Sequence, residues 1–313
     1  MRAMATLPRF LGAVSCVESE KLALIRDAIG NEAGLSCCRA GAPGPWYKDT
    51  ILLLDKAAEP LYIVKAGAGE AVNGLLTNEA NWLGTLHNDP LLSDHIPEFV
   101  AHRSAADFCF VAQRPLGGES DFQLNRLHVE LLRKLQKHGG ETIPLEESRI
   151  YKTLRLRLKR LTGLLSERWS TRLELAISRI ERSLTGAPLL VVAAHNDFTP
   201  WNIRLEQGMA RVFDWEYADY GQLPLFDPLH FSLIQMLLGN AATSRMAENI
   251  RQVVLFCNDR FGKEVCYEPE AQALAYLLNL CTLYLSSMDG QSGSHHVLDR
   301  CALLLDLLCL QRD

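Results

Sequence analysis

The chain has 313 residues, of which 48% are hydrophobic and 22% are charged, with a formal net charge of -5 and a sequence pI of about 6.0. This composition is ordinary for a globular protein, and the length is sufficient for a sizeable core and two lobes. The chain does not have the basic character that a nucleic-acid-binding surface requires, so we expect no nucleic-acid partner.

The nine cysteines include no Cys-x-x-Cys pair, and several lie in apolar stretches. An odd number of cysteines without metal-ligand spacing indicates buried thiols in a reducing compartment and argues against a zinc site. The apolar segment 10–14 is too short for the core of a signal peptide, and no other stretch reaches membrane-spanning length without polar breaks. We therefore expect a cytoplasmic protein that has no membrane partner.

The first third of the chain predicts a small sheet preceded by one helix. The helical pattern covers 19–29, with Ser19 as its N-cap. Strands are predicted at 35–40, 51–55, 61–66 and 107–113. The Gly- and Pro-rich segment 41–45 predicts a turn. Because it is not a Gly-x-Gly-x-x-Gly run, an ordinary hairpin loop and a phosphate-binding loop both remain open for this segment.

The rest of the chain is mostly helical in pattern. Apolar stripes at helical spacing predict helices at 120–138, 148–184, 226–238, 243–258, 268–288 and 294–310. The segment 148–184 is also strongly basic. A solvated charged face is one interpretation of this segment, and contact with an anionic substrate or partner is the other.

The segment 189–217 interrupts this helical pattern. Its apolar run 189–194 predicts a buried strand that leads into a polar loop, and 203–205 and 211–213 predict a hairpin around Gln207-Gly208. We expect this hairpin to bring Asp197, Asn202 and Asp214 together. Carboxylate and carboxamide oxygens are hard ligands of the kind that Mg²⁺ accepts.

The run His195-Asn196-Asp197-Phe198-Thr199-Pro200-Trp201-Asn202, followed by Asp214-Trp215-Glu216, resembles the aminoglycoside phosphotransferase and choline kinase family of the protein-kinase-like superfamily. Its His-x-Asp, with Asn five residues after the Asp, is similar to the kinase catalytic loop, and Asp214 matches the Asp of the Asp-Phe-Gly motif. Asn196 replaces the Arg of protein kinases, and Trp215-Glu216 replaces Phe-Gly, which favours the small-molecule branch. The resemblance covers roughly residues 35 to 240.

The fold that the resemblance implies is α+β, a bilobal protein-kinase-like fold. A small antiparallel-sheet N-lobe, residues 1–112, would cover the nucleotide. A mostly helical C-lobe, residues 113–313, would contain the catalytic loop and the acceptor site.

The reaction that the resemblance implies is transfer of the ATP γ-phosphate, with Mg²⁺ bound, to a hydroxyl of a small molecule. The acceptor would be a sugar, an amino alcohol or an aminoglycoside-like compound. Asp197 is expected to be the catalytic base, and Asn202 and Asp214 the magnesium ligands. Glu216 lies two residues past Asp214, and we expect it to touch the metal or a cationic substrate. A loop carboxylate without a role is the alternative for Glu216.

Four further residues are implied to bind the nucleotide. The segment Tyr62-Ile63-Val64-Lys65 resembles the Val-Ala-Ile-Lys strand of kinases, in which the lysine contacts the α and β phosphates. Glu79 on the following helix would hold Lys65 by an ion pair. Gln113 and Leu116 lie where the hinge between the lobes should contact adenine.

Two residues are implied to support the catalytic loop without taking part in the chemistry. His195 is expected to hydrogen-bond the loop backbone, because a second base so close to Asp197 would be redundant. Asp227 matches the aspartate that supports this loop through backbone hydrogen bonds in the family.

A protein kinase and a catalytically inactive ATP-binding scaffold are the alternative functions. The missing Ala-Pro-Glu motif and the short connection from Asp214 to Asp227 argue against a protein kinase. The presence of every expected chemical group argues against an inactive scaffold.

The motif does not identify the acceptor. The C-terminal helices offer Asp289, Asp299 and Asp306 near Tyr276 and Tyr284, and carboxylates beside aromatic rings suit a polyhydroxylated or cationic acceptor. Solvated helix residues and core tyrosines are the alternative interpretation. If none of these positions binds the acceptor, the basic segment 148–184 becomes the next candidate, and it would imply an anionic acceptor.

Overall fold

The computed structural model describes residues 19–30, 35–41, 46–239, 241–262, 265, 267–288 and 295–310. Contacts divide the chain into two compact units, Met1–Asp121 with Pro200–Ala218, and Phe122–Thr199 with Asp219–Asp313. The lobe boundary near residue 113 stays a prediction. Except for Gly41, the loop predicted at 41–45 lies outside the described residues.

Most helices and strands follow one another in the order that the sequence patterns indicate. In the first part of the chain they are α1 (Ser19–Ile29), β1 (Leu35–Arg39), β2 (Lys48–Leu54), β3 (Pro60–Gly67), α2 (Glu70–His87), β4 (Phe99–Arg103) and β5 (Cys109–Gln113). They continue with α3 (Arg126–Gly139), β6 (Glu141–Ile143), α4 (Arg149–Leu161), α5 (Glu167–Leu184) and β7 (Leu189–Ala194). The last are β8 (Ile203–Glu206), β9 (Met209–Val212), β10 (Asp219–Gln222), α6 (Phe226–Leu238), α7 (Thr243–Phe261), α8 (Pro269–Ser287) and α9 (His296–Leu310).

The first unit contains a five-stranded sheet in the order β1-β2-β3-β5-β4, with antiparallel pairing between neighbours. On β3, alternation buries Tyr62, Val64 and Ala66 in a core that includes Ile25 of α1. Because side chains alternate across a strand, Lys65 points to the opposite face, where it meets α2. The alternating apolar residues of β3 therefore fix the direction of this lysine.

A tight hairpin formed by β8 and β9 also belongs to the first unit. Gln207 and Gly208 both have positive φ, 52° and 77°, as a two-residue type I′ turn requires. Ile203 pairs with Val212 at the open end, and Glu119 forms a bridge to Leu205 on the other side of β8. The hairpin predicted from the sequence is confirmed.

The second unit packs α4 to α9 around a large apolar core, and α3 contacts β7 of a short sheet in the order β10-β7-β6. The predicted helices at 226–238, 243–258, 268–288 and 294–310 are confirmed with small shifts of their ends. Within the described ranges, no helix is both long and apolar enough to cross a membrane.

Two helix boundaries differ from the prediction. The helix expected from residue 120 begins at Arg126, because the Asn125 side chain accepts a hydrogen bond from the Leu127 N–H at 2.9 Å, and His128 Nδ1 accepts one from the Asn125 N–H. The continuous helix expected over 148–184 is two helices, α4 and α5. Gly163, at φ 81°, lies in the break between them.

The sequence patterns also missed three strands. β4 lies at an edge of the larger sheet and shows no alternation of buried and exposed residues. β6 has three residues and β10 has four, which is too short for a periodic signal.

Candidate active site

An ionic cluster surrounds the amino group of Lys65 in the first unit. Its Nζ lies 2.6 Å and 2.7 Å from the two carboxylate oxygens of Glu79 and 2.6 Å from Asp214 Oδ1. Glu79 is completely buried in α2. The structure thus brings Lys65 and Glu79 together as an ion pair, whereas their role in nucleotide binding stays a prediction.

The charge state of this cluster follows from burial and from its neighbours. Burial acts to lower the pKa of Lys65, but Asp214, Glu79 and Glu216 outweigh it and raise the pKa above its ordinary value. Burial also raises the pKa of Glu79, and Lys65 opposes that shift. Lys65 therefore carries a stable positive charge of the kind that phosphate contact requires.

Asp214 lies two residues after the end of β9 and has an unusual backbone conformation. Its φ of 74° and ψ of 54° lie in the left-handed region, which is uncommon outside glycine and which aspartate tolerates better than most residues. The chain continues into the short 3₁₀ turn Trp215–Tyr217. Conformations of this kind cluster at functional sites, so the outlier supports a functional role for Asp214.

The hairpin brings the two predicted magnesium ligands to its open end. Asn202 is buried immediately before β8, and its backbone carbonyl accepts a hydrogen bond from the Phe213 N–H at 3.1 Å. Asp214 is the next residue after Phe213. The β8–β9 pairing therefore positions both predicted ligands.

Three carboxylates of the first unit are close enough to share a metal ion. Glu79, Asp214 and Glu216 each offer an oxygen, and these atoms lie within 4.8 Å of one another. The oxygens of these three carboxylates, and the carboxamide oxygen of Asn202 just before β8, are the kind of ligand that Mg²⁺ binds. Among the described residues, the donor chemistry is therefore consistent with the predicted metal.

Glu216 is held in place by residues that the sequence did not single out. Lys48 Nζ contacts Glu216 Oε2, and Asn78 donates hydrogen bonds of 3.0 Å to the backbone carbonyls of Glu216 and Ala218. Lys48 opens an ordinary strand pattern, and no local signal distinguishes it from a solvated lysine. Only the tertiary structure reveals this contact.

Two tryptophans stack beside the ionic cluster. The ring centroids of Trp82 on α2 and Trp215 are 6.0 Å apart, with 20° between the ring planes. Trp215 is completely buried, and its indole N–H donates to the Val212 carbonyl at 3.0 Å. The stack fixes the 3₁₀ turn after Asp214 against the helix that carries Glu79.

Gln113 and Leu116 lie where the hinge was predicted. Gln113 ends β5 and is buried, and its carboxamide oxygen has no hydrogen-bond partner among the described residues. Leu116 is half-buried in the segment that follows. Nucleotide binding by Gln113 and Leu116 stays a prediction.

In the second unit, Asp227 holds the backbone of the predicted catalytic loop. Its Oδ2 accepts a hydrogen bond from the His195 N–H at 2.8 Å, and its Oδ1 accepts one from the Asn196 N–H at 2.9 Å. Burial raises the pKa of Asp227, while His195 and the two backbone donors oppose the shift. These are the contacts expected of a loop-supporting aspartate.

His195 is completely buried and turned toward its own loop. Its Nδ1 accepts a hydrogen bond from the Asp197 N–H at 3.3 Å. This contact agrees with the predicted structural role.

Asp197 is contacted by a histidine that the sequence did not single out as functional. The side chain of Asp197 is 29% exposed, and its Oδ1 lies 3.2 Å from His230 Nε2. His230 Nδ1 lies 3.0 Å from the Tyr276 hydroxyl. The sequence feature that could have indicated His230 is its position three residues after Asp227, which places both side chains on one face of α6.

The predicted site residues divide between the two units at Thr199 and Pro200, within the loop. The first unit contains Lys65, Glu79, Gln113, Leu116, Asn202, Asp214 and Glu216. The second contains His195, Asp197 and Asp227.

The residues predicted to bind the acceptor differ in their contacts and in their exposure. Asp306 forms a two-pronged ion pair with Arg172, at 2.6 Å and 2.7 Å. The Tyr284 ring packs on His295 with centroids 4.7 Å apart, and Asp299 is exposed. Asp289 lies outside the described residues. Acceptor binding by these residues stays a prediction.

Comparison with known structures identifies the fold. The chain is similar to APH(2'')-IIa in a ternary complex with streptomycin and ATP, with a TM-score of 0.60 and 16% identity over 93% of this chain and 97% of that one. It is also similar to ADP-bound aminoglycoside phosphotransferase APH(2'')-Ib, with a TM-score of 0.58 and 14% identity over 92% and 97% of the two chains. Amicoumacin kinase hAmiN, in complex with AMP-PNP, Ca²⁺ and Ami, gives a TM-score of 0.58 and 12% identity over 93% of both. These likenesses confirm the predicted α+β protein-kinase-like fold.

Sequence comparison gives the family. No curated protein sequence matches the chain significantly. The model of the phosphotransferase enzyme family, APH, matches residues 42–252, which is more than half of the chain. The predictions of this family and of a phosphotransferase with an alcohol group as acceptor are thereby confirmed, and the chain belongs to the phosphotransferase enzyme family.

Proposed function

We propose that the chain transfers the γ-phosphate of ATP, with Mg²⁺ bound, to a hydroxyl of a sugar, an amino alcohol or an aminoglycoside-like molecule. The observation that carries this proposal is the cluster in which Lys65 meets both Glu79 and Asp214. A permanently charged amine beside several carboxylates suits a metal-bound polyphosphate. The arrangement occurs in a chain of the phosphotransferase enzyme family.

On the nucleotide side, Lys65 would contact the phosphates while Glu79 fixes the direction of its amino group. The hinge segment around Gln113 and Leu116 would contact adenine. The unsatisfied Gln113 carboxamide supports a polar contact there. The lysine and the hinge segment would therefore bind different parts of the nucleotide, the lysine its phosphates and the hinge its base.

On the metal side, Asn202 and Asp214 would be the ligands. A bound Mg²⁺ would neutralise part of the phosphate charge. Glu216, which is paired with Lys48, would contribute a further oxygen to the metal or contact a cationic acceptor. Asp214 would thus contact both Lys65 and the metal.

On the acceptor side, Asp197 would take the proton of the attacking hydroxyl. His195 and Asp227 would keep the loop in the conformation that presents it, through the backbone hydrogen bonds of the loop. The similar structures include complexes with streptomycin, gentamicin and hygromycin B. They support a polyhydroxylated, cationic small molecule as the acceptor of this chain.

The test is a transfer assay with γ-³²P-labelled ATP and Mg²⁺. The panel contains streptomycin, gentamicin, hygromycin B, simple sugars, choline and casein, and each reaction is repeated with EDTA and with the variant Asp197→Asn. We expect label on at least one small molecule, lost in EDTA and strongly reduced in the variant. Labelling of casein alone would favour a protein kinase, and ATP binding without transfer would favour an inactive scaffold.

The location of the protein is not addressed by this assay, and a cytoplasmic location stays a prediction.

A further inference from the structure

His230 joins Asp197 to the interior of the second unit through a short chain of polar contacts. Its Nε2 lies 3.2 Å from Asp197 Oδ1 and its Nδ1 lies 3.0 Å from the Tyr276 hydroxyl. His230 is 9% exposed and Tyr276 is 3% exposed, so this chain of contacts is largely shielded from water.

The chemistry of these groups fixes where the protons lie. An ionised carboxylate only accepts hydrogen bonds, so the contact with Asp197 requires a proton on His230 Nε2. In the neutral imidazole, Nδ1 then accepts, and the Tyr276 hydroxyl is its donor. Burial raises the pKa of Tyr276 well above its ordinary value, so this hydroxyl keeps its proton. Donors and acceptors therefore match along the whole chain.

The position of His230 follows from the first turn of α6. Asp227 and His230 are three residues apart and lie on one face of the helix. Asp227 binds the backbone of His195 and Asn196, and His230 binds the side chain of Asp197. One helical turn therefore restrains both the backbone of the loop and the carboxylate that it carries.

The residue after Asp197 is anchored by packing against the same helix. Phe198 is completely buried, and its ring centroid lies 6.0 Å from that of Phe231. His230 and Phe231 are consecutive, so the polar and the apolar contact to the loop come from adjacent positions of α6. The packing of Phe198 on Phe231 therefore supports the loop next to the contact between His230 and Asp197.

We propose that His230 is a positioning residue, whose Nε2–H holds the Asp197 carboxylate in one orientation toward the acceptor hydroxyl, and that Tyr276 selects the tautomer that makes this possible. The proposal rests on the proposed function, in which Asp197 is the base. Fixing the orientation of a reacting group affects the transition state more than the binding of ATP. His230 therefore influences turnover without contacting the nucleotide.

The kinetic test compares substitutions that keep or remove the Nε2 donor. We expect His230→Ala to lower kcat by about 10–100-fold with the KM for ATP changed less than about twofold. His230→Gln, whose amide nitrogen can occupy the place of Nε2, should recover most of the loss. His230→Asn, whose amide instead lies near the place of Nδ1, should not. Tyr276→Phe should give a smaller decrease than His230→Ala.

A second histidine–tyrosine pair of the same unit provides a matched control. His138 on α3 contacts the Tyr220 hydroxyl at 3.2 Å near the surface, and it has no role in the proposed reaction. His138→Ala should leave kcat unchanged.

Thermal unfolding of every variant distinguishes a variant that has lost its fold from one that has lost only the orientation of Asp197. Wild-type kcat in a folded His230→Ala variant, or equal effects of Gln and Asn at this position, would overturn the proposal while leaving the proposed function intact.

A measurement that needs no acceptor decides the same question. Nitrogen NMR of histidine-labelled protein distinguishes protonated from unprotonated ring nitrogens, and the His230 signals are assigned from their loss in His230→Gln. We expect a proton on Nε2 and none on Nδ1, with a shift of both signals in Tyr276→Phe. A proton on Nδ1 would overturn the proposal. If the wild type transfers no phosphate, the proposed function fails, and this measurement still reports which ring nitrogen of His230 carries the proton.

Discussion

The two units hold their predicted functional carboxylates by different means. In the first unit, Glu79, Asp214 and Glu216 are paired with the ammonium groups of Lys65 and Lys48. In the second unit, Asp227 accepts hydrogen bonds from backbone N–H groups, and Asp197 lies within hydrogen-bond distance of the His230 imidazole. One set depends on opposite charges, and the other depends on directed hydrogen-bond donors.

The difference corresponds to the tasks that we propose. Three carboxylates against two ammonium groups leave negative charge for a metal ion, while Lys65 remains positive for the phosphates. A base must keep its affinity for a proton, and a neighbouring ammonium group would reduce that affinity. A hydrogen-bond donor without a charge also orients a carboxylate, and it lowers the proton affinity of the carboxylate less than an ammonium group does. Ion pairs therefore suit the nucleotide side, and neutral hydrogen bonds suit the base.

The largest effect should come from removing the base. Asp197→Asn keeps the shape of the side chain and removes its basicity, so kcat should fall by about 10²–10⁴-fold while ATP affinity changes little. Turnover kinetics and ATP calorimetry on the same preparation measure both quantities. Turnover close to that of the wild type would remove Asp197 from the role of base.

The next effect should be on metal-dependent ATP binding. Asp214→Asn preserves a residue that tolerates the left-handed backbone and removes the carboxylate, so ATP affinity with Mg²⁺ should fall at least about tenfold, or about 1.4 kcal/mol. Calorimetry with and without Mg²⁺ separates the metal from the phosphate contribution. Glu248→Gln, at an exposed position of α7, is the control. If the Mg²⁺ dependence of ATP binding is unchanged in Asp214→Asn, Asp214 is not a metal ligand.

A double-mutant cycle tests whether Lys65 and Glu79 act as one unit. Each of Lys65→Met and Glu79→Gln should weaken ATP binding, and the double variant should be clearly less impaired than the sum of the two. We expect an interaction energy of about 0.5–3 kcal/mol, typical of residues in direct contact. ATP affinities of the four proteins measure it. Strict additivity would mean that the observed ion pair has no part in nucleotide binding.

The smallest effect should come from the partly exposed ion pair of Arg172 with Asp306. Its hydrogen bond from Arg172 lowers the pKa of Asp306, so the stabilisation is present above the unfolded pKa of about 3.9 and is lost as pH falls through the folded value. Since the Asp306 side chain is 39% exposed, Asp306→Asn should cost less than about 1 kcal/mol. Urea unfolding over a series of falling pH values should show this difference at pH 7 and its progressive loss toward the acid end of the series. A raised acceptor KM in this variant would instead support the predicted acceptor contact.

The parts of the fold that the sequence predicted depend on neighbouring residues. The β8–β9 hairpin follows from Gln207-Gly208 between two short apolar runs, and its prediction places Asn202 beside Asp214 without further information. The direction of Lys65 follows from alternation along β3. Motif resemblance then adds Glu79, because the helix after that strand contains a suitable carboxylate.

The parts that could not be predicted depend on residues that are distant in sequence. Lys48 and Glu216 are 168 positions apart, and nothing about either residue alone indicates the other. His230 and Asp197 are 33 positions apart, and their contact depends on how α6 packs against the loop. The late start of α3 at Arg126, six residues after the predicted start, has a local cause, a capping box at Asn125 with histidine in the place of the usual Glu or Gln.

The stacked indoles of Trp82 and Trp215 give the protein an intrinsic optical reporter. Aromatic rings with centroids 6.0 Å apart exchange excitation energy, so their combined fluorescence depends on their distance and angle. Trp82 lies one helical turn after Glu79, and Trp215 is the residue next to Asp214. A change in the separation of these two acids on nucleotide binding would therefore change the emission of the unlabelled protein, and Trp82→Phe would remove the part of that change that comes from the stacked pair. Rapid mixing could then follow nucleotide arrival in real time, before any acceptor is known.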